Sequence, residues 1–365
     1  MDSPSPPASV LVDRGDIPAA VVFRGIADKR RIAGDSMNEA EAGSFDHQPV
    51  MVDEIVQLFA PVPAGVVLDA TLGGGGHSAR LLSEYPDLQV LGIDRDPHAL
   101  AAAKRRLAPF GDRVRTARTR FDDLTNVMEA FKIDHLSGAL FDLGVSSPQL
   151  DRAERGFSYR HDAALDMRMD TDQTWSAADV VNGYSLERLA SLISRYGDER
   201  FAMRIAAAIV DARPIENTAR LAEVVVAAIP APARRTGGHP AKRTFQAIRI
   251  EVNGELDALP DAIDQAIAAT APGGRVVALS YHSGEDRIVK DRFRAAETGG
   301  CLCPPELPCV CDAVQTVRTV RRVPRQPSGA ERNANRRASS ARLRVVERIL
   351  PRHRDRQLGD KPGSF

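Results

Sequence analysis

The sequence has no uninterrupted apolar run approaching the ~18 residues that a membrane-spanning helix needs. That excludes a helical integral membrane protein. The first residues, Met1-Asp2-Ser3-Pro4-Ser5-Pro6-Pro7, contain no basic stretch leading into an apolar one, so no signal peptide is expected. Cysteine is scarce. There are four, all between 301 and 311, a local cluster and not the dispersed framework of a disulfide-stapled secreted domain. Net charge is absent too, since 49 Lys and Arg balance 49 Asp and Glu. No internal repeat is found. A soluble, cytoplasmic protein is expected, and 365 residues leave room for two or three domains with an ample core.

What is present is unevenly placed. From Gln315 to Arg354 there are 12 Arg and no Lys against 2 Glu. A second basic stretch carries Arg234, Arg235, Lys242, Arg243 and Arg249. Basic patches on a neutral chain point to a polyanionic partner met at particular surfaces, with a solvated Arg-rich face as the alternative.

Residues 1–45 lack sustained periodicity and are expected to be a mobile extension. Thereafter short apolar runs alternate with helical patterns. Val66–Leu68, Val90–Ile93, Val114–Ala117 and Ala139–Phe141 read as strands, and Pro97–Leu107 as a helix opened by proline. Such alternation implies a doubly wound α/β sheet with right-handed crossovers. From 151 to 255 only helical pieces follow, the last read as Arg243–Leu256. Strand rhythm returns at Arg275–Ser280, and two alternating runs, Thr316–Val323 and Ala341–Val346, are expected to pair antiparallel. The expected plan is one sheet domain from 46–150 and 256–350, an inserted helical domain at 151–255, and a tail at 351–365.

The first strand runs into Asp69-Ala70-Thr71-Leu72-Gly73-Gly74-Gly75-Gly76-His77. Glycines there let backbone N–H groups at a helix start approach a ligand closely. Asp94 closes the second strand 21 residues after Gly73, where an acid accepts ribose hydroxyls in nucleotide-binding folds. A dinucleotide fingerprint would need glycine at 78, which is Ser. An acid, Asp69, also leads the turn, which suits a cationic sulfonium or amino ligand better than a pyrophosphate; a plain helix cap is the other reading of Asp69. S-adenosylmethionine is therefore favoured over NAD.

These segments carry a resemblance. The turn, Asp94, Phe141-Asp142-Leu143-Gly144-Val145-Ser146-Ser147-Pro148-Gln149-Leu150-Asp151 and Glu154-Arg155-Gly156-Phe157-Ser158 are part of it. Leu165-Asp166-Met167-Arg168-Met169-Asp170, Thr244–Arg249 and Tyr281-His282-Ser283-Gly284-Glu285-Asp286-Arg287 complete it. Together they resemble the bacterial 16S ribosomal RNA (cytosine-N4) methyltransferase family over about residues 45–350. The departures are the N-terminal extension, Tyr281 where the family commonly has Phe, and Gly284 where it often has Leu.

The resemblance implies a Rossmann-like class I methyltransferase sheet with an inserted helical RNA-recognition domain. It implies methylation of the exocyclic amine of a cytidine in the decoding region of small-subunit ribosomal RNA, and a homodimer is compatible with it. Implied cofactor contacts are Gly75, Gly76, His77, Asp94, Phe121, Asp142 and Gln149; by its own pattern Phe121 would read as core. A conjugated amine is a poor nucleophile, so acceptors must draw its protons while it is held in line. Asp142, Ser146 and Ser147 after the fourth strand are the candidate catalytic groups, Ser147 reading equally as a turn residue. Phe157, Tyr159 and Tyr281 are candidates to stack on the base. No metal is assigned: four thiolates so close could hold Zn²⁺, but the spacing is not the usual Cys-x-x-Cys pair, and Cys301, Cys303, Cys309 and Cys311 are read in preference as reduced surface thiols. The alternatives are an assembly factor that binds ribosomal RNA without turnover, and an NAD-linked oxidoreductase, which Ser78 and Asp69 oppose.

Overall fold

A computed structural model describes residues 49–144, 152–235, 238–304 and 310–353. Helix α1 (Val52–Phe59) precedes β1 (Gly65–Asp69), α2 (Gly76–Glu84), β2 (Leu88–Asp94), α3 (Pro97–Leu107), β3 (Val114–Arg118), α4 (Leu124–Ala130) and β4 (Leu136–Asp142). Among the described residues there follow α5 (Ala177–Gly183), α6 (Leu186–Gly197), α7 (Ala202–Asp211), α8 (Thr218–Ala228) and α9 (Lys242–Asn253). The chain then forms α10 (Glu255–Ala269), β5 (Thr270–Ser280), α11 (Ser283–Thr298), β6 (Val314–Thr319), α12 (Gly329–Ala334) and β7 (Arg342–His353).

The strands form one sheet in the order β3-β2-β1-β4-β5-β7-β6. The first five run parallel, and β7 lies antiparallel between β5 and β6. A dinucleotide-binding sheet has six strands in the order 3-2-1-4-5-6. The antiparallel β7 wedged beside β5 makes this the class I methyltransferase form of the Rossmann-like sheet. Alternate strand residues feed its two faces. Leu68, Leu91, Ala139, Phe141 and Val276 pack with α4, α10 and α11, while Val67, Leu140, Val277 and Leu279 pack with α1 and α2. Helices α5–α9 surround another apolar cluster, which extends from Phe157 to Val252.

The strands expected at Arg275–Ser280, Thr316–Val323 and Ala341–Val346 run Thr270–Ser280, Val314–Thr319 and Arg342–His353, and two of the changed boundaries bear on the domain plan. The helix read as Arg243–Leu256 breaks at Gly254, whose φ of 57° ends α9 and caps α10, so a further helix of 15 residues precedes β5. Strand β7 continues to His353, past the expected start of the tail at 351, because Arg352 and His353 pair with Gln315 and Val314. No helix among the described residues is long and apolar enough to cross a membrane.

The segment between β4 and α5 is tied to the sheet by buried polar groups. The Arg155 guanidinium, 9% exposed, lies 3.1 Å from the Asp96 carboxylate, 1% exposed, and donates to the carbonyls of Arg168 and Met169 at 2.7 and 3.1 Å. Asn253 Nδ2 donates to Met167 O and its Oδ1 accepts from Met169 N, both at 2.8 Å. Breaking a buried pair leaves an uncompensated charge, at a cost of about 3–5 kcal/mol. Arg155→Ala should therefore lower unfolding free energy by about 3–5 kcal/mol in urea titrations. Arg118→Ala, which removes pairs to Asp170 and Asp172 that stand in solvent, should change it by about 0–1 kcal/mol.

Candidate active site

Every group singled out in the glycine turn sits at the carboxyl end of the parallel strands, where ligands of open α/β sheets bind. β1 ends at Asp69, which is 2% exposed. Its Oδ2 accepts from Ser78 Oγ at 2.6 Å and its Oδ1 from Thr71 N at 3.3 Å. Burial raises its pKa, opposed chiefly by the Ser78 hydroxyl. Asp69 thus anchors the turn through the Ser78 hydroxyl and the Thr71 N–H. Ser78, which spoils the dinucleotide fingerprint, is the donor that this anchor requires.

Gly75 is the N-cap of α2 with φ 74°, and a Cβ there would lie 3.1 Å from Leu107 Cδ1. The left-handed backbone and the press on Leu107 both favour glycine there. A Cβ on Gly76 would meet Pro49 Cγ at 2.5 Å, whereas Gly74 borders open space. The turn is therefore packed behind and open at Gly74.

Asp94 closes β2 and holds this turn. Its Oδ2 accepts from Gly73 N at 2.8 Å and its Oδ1 from Asp96 N at 2.9 Å. Burial pushes its pKa up to about 6, against the pull of those two N–H groups. β3 ends beside β2, with Asp94 paired to Arg118, and Phe121 follows on the next turn. Phe121 is half-buried, with an edge-on contact to Phe141 at 6.3 Å between ring centroids. The core reading and the ligand-facing reading of this ring are compatible, because one edge packs and the remainder is open.

At the end of β4, Asp142 N donates to Thr71 Oγ1 at 2.7 Å, which fastens the strand-four end to the turn after β1. Asp142 Oδ1 accepts from the Tyr281 hydroxyl at 2.7 Å, and Oδ2 lies 3.4 Å from His77 Nδ1. The other ring nitrogen of His77 is 3.0 Å from Val50 O, so His77 bridges the α1 entry to Asp142. Burial raises the Asp142 pKa, with His77 pulling it down and Glu285 adding to the rise. The same proximity, after burial itself, lifts the Tyr281 hydroxyl well above its ordinary value.

Glu285, 2% exposed, accepts from the backbone N–H of Tyr281 at 2.7 Å. Burial alone would raise it, but His282, at 3.1 Å, leaves it below the usual carboxylate range. His282 is the N-cap of α11, so this motif is a capping box that fixes Tyr281 over Asp142.

The structure therefore brings together Gly75, Gly76, His77, Asp94, Phe121 and Asp142 along adjoining strand ends. Ser146, Ser147 and Gln149 lie outside the described residues, as does Cys309. Of the three rings considered for stacking, Phe157 is 7% exposed within the helical cluster. Tyr159 already stacks on His239 at 4.3 Å. Only Tyr281 stands at Asp142. Sequence reasoning missed Thr71, for which a hydroxyl two residues after the strand-ending acid was the available signal, and the link from Arg155 to Asp96, for which there was none.

A family model described as MraW methylase family matches residues 44–349. A protein of Symbiobacterium thermophilum named ribosomal RNA small subunit methyltransferase H is 50% identical over 311 residues, 84% of this chain and 98% of its own length. Proteins of the same name from Mycobacterium sp. (strain KMS) and Thermobifida fusca are each 49% identical, covering 85% and 83% of this chain and 85% and 93% of their own lengths. The matched stretch takes in the glycine turn, Asp94, Asp142 and the capping box of α11, and on that match the chain belongs to the MraW methylase family.

Proposed function

We propose that this protein transfers a methyl group from S-adenosylmethionine to the exocyclic N4 amine of a cytidine in the decoding region of small-subunit ribosomal RNA. The observation that carries the reading is the junction of β1 and β4. Thr71 in the glycine turn and Asp142 at the strand-four end share a hydrogen bond, so donor turn and acceptor-side acid are joined directly. The names of the relatives support ribosomal RNA as the substrate.

The residues present fit the cofactor. The turn is open at Gly74, Asp94 is partly exposed with lone pairs left beyond the two N–H bonds it accepts, and Phe121 offers a half-open ring. Gly75, Gly76 and His77 would shape the cradle, Asp94 would accept the ribose hydroxyls, and Phe121 would face the adenine. When bound, the cofactor supplies an electrophilic methyl on a sulfonium. On the acceptor side, Asp142, with Ser146 and Ser147, would accept the amine's protons and orient its lone pair. Tyr281 would line the base, its hydroxyl fixing the Asp142 carboxylate. Gln149 would complete the cofactor side.

The helices at 151–255 would read the RNA. A parallel sheet offers only its strand ends, so a large structured target needs an additional surface. Lys242 and Arg243 are exposed at the start of α9, while Arg234 donates to Ile229 O and Ala227 O and so also caps the end of α8. Replacing Lys242 and Arg243 by Ala should make RNA binding weaker and less salt-dependent, each lost phosphate contact taking about 0.7–0.9 from the log–log slope. Cofactor affinity should hold. A slope equal to wild type would place the RNA elsewhere, the Arg-rich stretch 315–354 first.

Asp94→Ala should weaken S-adenosylhomocysteine binding about 10–100-fold, the worth of a charge-assisted bond of ~1.5–3 kcal/mol. Because burial raises the Asp94 pKa to about 6, its ionised, better-accepting form is lost as the pH falls through that value. Affinity in the wild type should drop there by at most about tenfold per pH unit, and the variant should not show this dependence. Calorimetry across pH measures both.

The decisive experiment is incubation with labelled S-adenosylmethionine and small ribosomal subunits, followed by mapping of the modified base. Asp142→Ala should cut single-turnover methyl transfer by about 10²–10⁴-fold with RNA affinity kept. Wild-type protein that binds the subunit yet labels no base would favour the non-catalytic assembly factor.

A further inference from the structure

The loop between α11 and β6 carries chemistry that methyl transfer does not use. Its ends are held side by side, with Thr316 Oγ1 donating to Ala296 O at 3.4 Å and Thr319 N to Glu297 Oε1 at 2.8 Å. At its start Gly299 and Gly300 both take the left-handed conformation, with φ of 63° and 74°, and reverse the chain as it leaves α11. Two of its apolar side chains stand in solvent, Leu302 at 95% and Val310 at 84% exposed. Yet the sulfurs of Cys301, Cys303 and Cys311 all lie within 4.8 Å of one another.

We infer that Cys301, Cys303 and Cys311 form a binding site for a zinc ion that closes the α11–β6 loop. Thiolates at ~2.3 Å from a tetrahedral zinc stand ~3.8 Å apart, so this set needs only small side-chain adjustment. Convergence of three sulfurs on a common point is what a metal requires. A disulfide uses two and leaves the third unexplained. The donor set is soft and borderline, which suits zinc and excludes calcium or magnesium.

The thiolate is the form that ligates. Binding would release the protons of the three thiols and leave a fourth position for water or another donor. Spacing alone, Cys-x-Cys, reads as surface thiols; the fold adds Cys311 from the far end of the loop.

The test uses the full chain, expressed with zinc supplied and purified without chelator. Elemental analysis should find about one zinc per chain. Cys303→Ser and Cys311→Ser should each reduce it to background while S-adenosylhomocysteine binding, read by calorimetry, stays at wild type and reports an intact fold. Metal-free protein titrated with Co²⁺ should develop thiolate charge-transfer absorption and the intense visible bands of tetrahedral cobalt. A wild-type chain that holds no zinc and gives no such cobalt spectrum would overturn the site. So would mass spectrometry showing a disulfide between two of these cysteines in protein purified without reductant.

Discussion

Two backbone N–H groups, those of Gly73 and Asp96, share the carboxylate of Asp94, and the arrangement of the site depends on that sharing. One bond fixes the glycine turn against the end of β2. The other fixes the start of α3, where Asp96 caps the helix through His98 N and meets Arg155. From Arg155 the connection passes to the carbonyls of Arg168 and Met169, then through Met169 N to Asn253 at the α9–α10 junction. The helices that would face RNA therefore hang from the same few residues that would hold the nucleoside. Several motifs of the family resemblance turn out to be parts of this suspension. Asn253, Arg155 and the largely buried pair of Arg249 with Glu255 expose little surface, but they help set where α5–α9 stand.

The opposite side of the site is built from charge that burial makes costly. Asp69 and Glu285 are buried and Asp142 partly so, and desolvation pushes each upward. The compensations are local and unequal. Asp69 takes the Ser78 hydroxyl, Asp142 takes Tyr281 and His77, and Glu285 takes His282 and two backbone N–H groups. Glu285 ends lowered and Asp142 raised from their ordinary values, so two acids within one network are driven apart.

The parallel sheet was legible because its strands are short apolar runs bounded by turn residues, and Val66–Leu68 and Val90–Ile93 needed no partner to be recognised. The glycine turn and Asp94 were legible for the same reason, being local in sequence. The split of the expected helix at Gly254 was not, since an isolated glycine in a helical pattern is tolerated as often as it terminates, and the packing of α10 on β4 and β5 decides the matter here. The hold of Thr71 on Asp142 spans 71 residues and that of Arg155 on Asp96 spans 59. No periodicity encodes contacts of that kind. Tyr281 could be named from the resemblance as a departure, but its bond to Asp142 appears only when β5 and β4 are laid side by side.

That bond bears on the proposed chemistry. An exocyclic amine that has accepted a methyl group becomes strongly acidic, so a weak base suffices to take its proton, provided the base is already in place. An Asp142 left in solvent would be a poorer acceptor, because water would stabilise its charge and nothing would fix its lone pairs. Here burial raises its affinity for the proton, while the Tyr281 hydroxyl and His77 engage its two oxygens and set the plane of the carboxylate. Phenylalanine at 281 would keep the ring and lose the hydroxyl. The carboxylate would then rest on His77 alone, less tightly oriented and with one stabilising donor fewer. The tyrosine therefore exchanges some basicity of Asp142 for orientation, a favourable exchange where positioning contributes more to the barrier than proton affinity does.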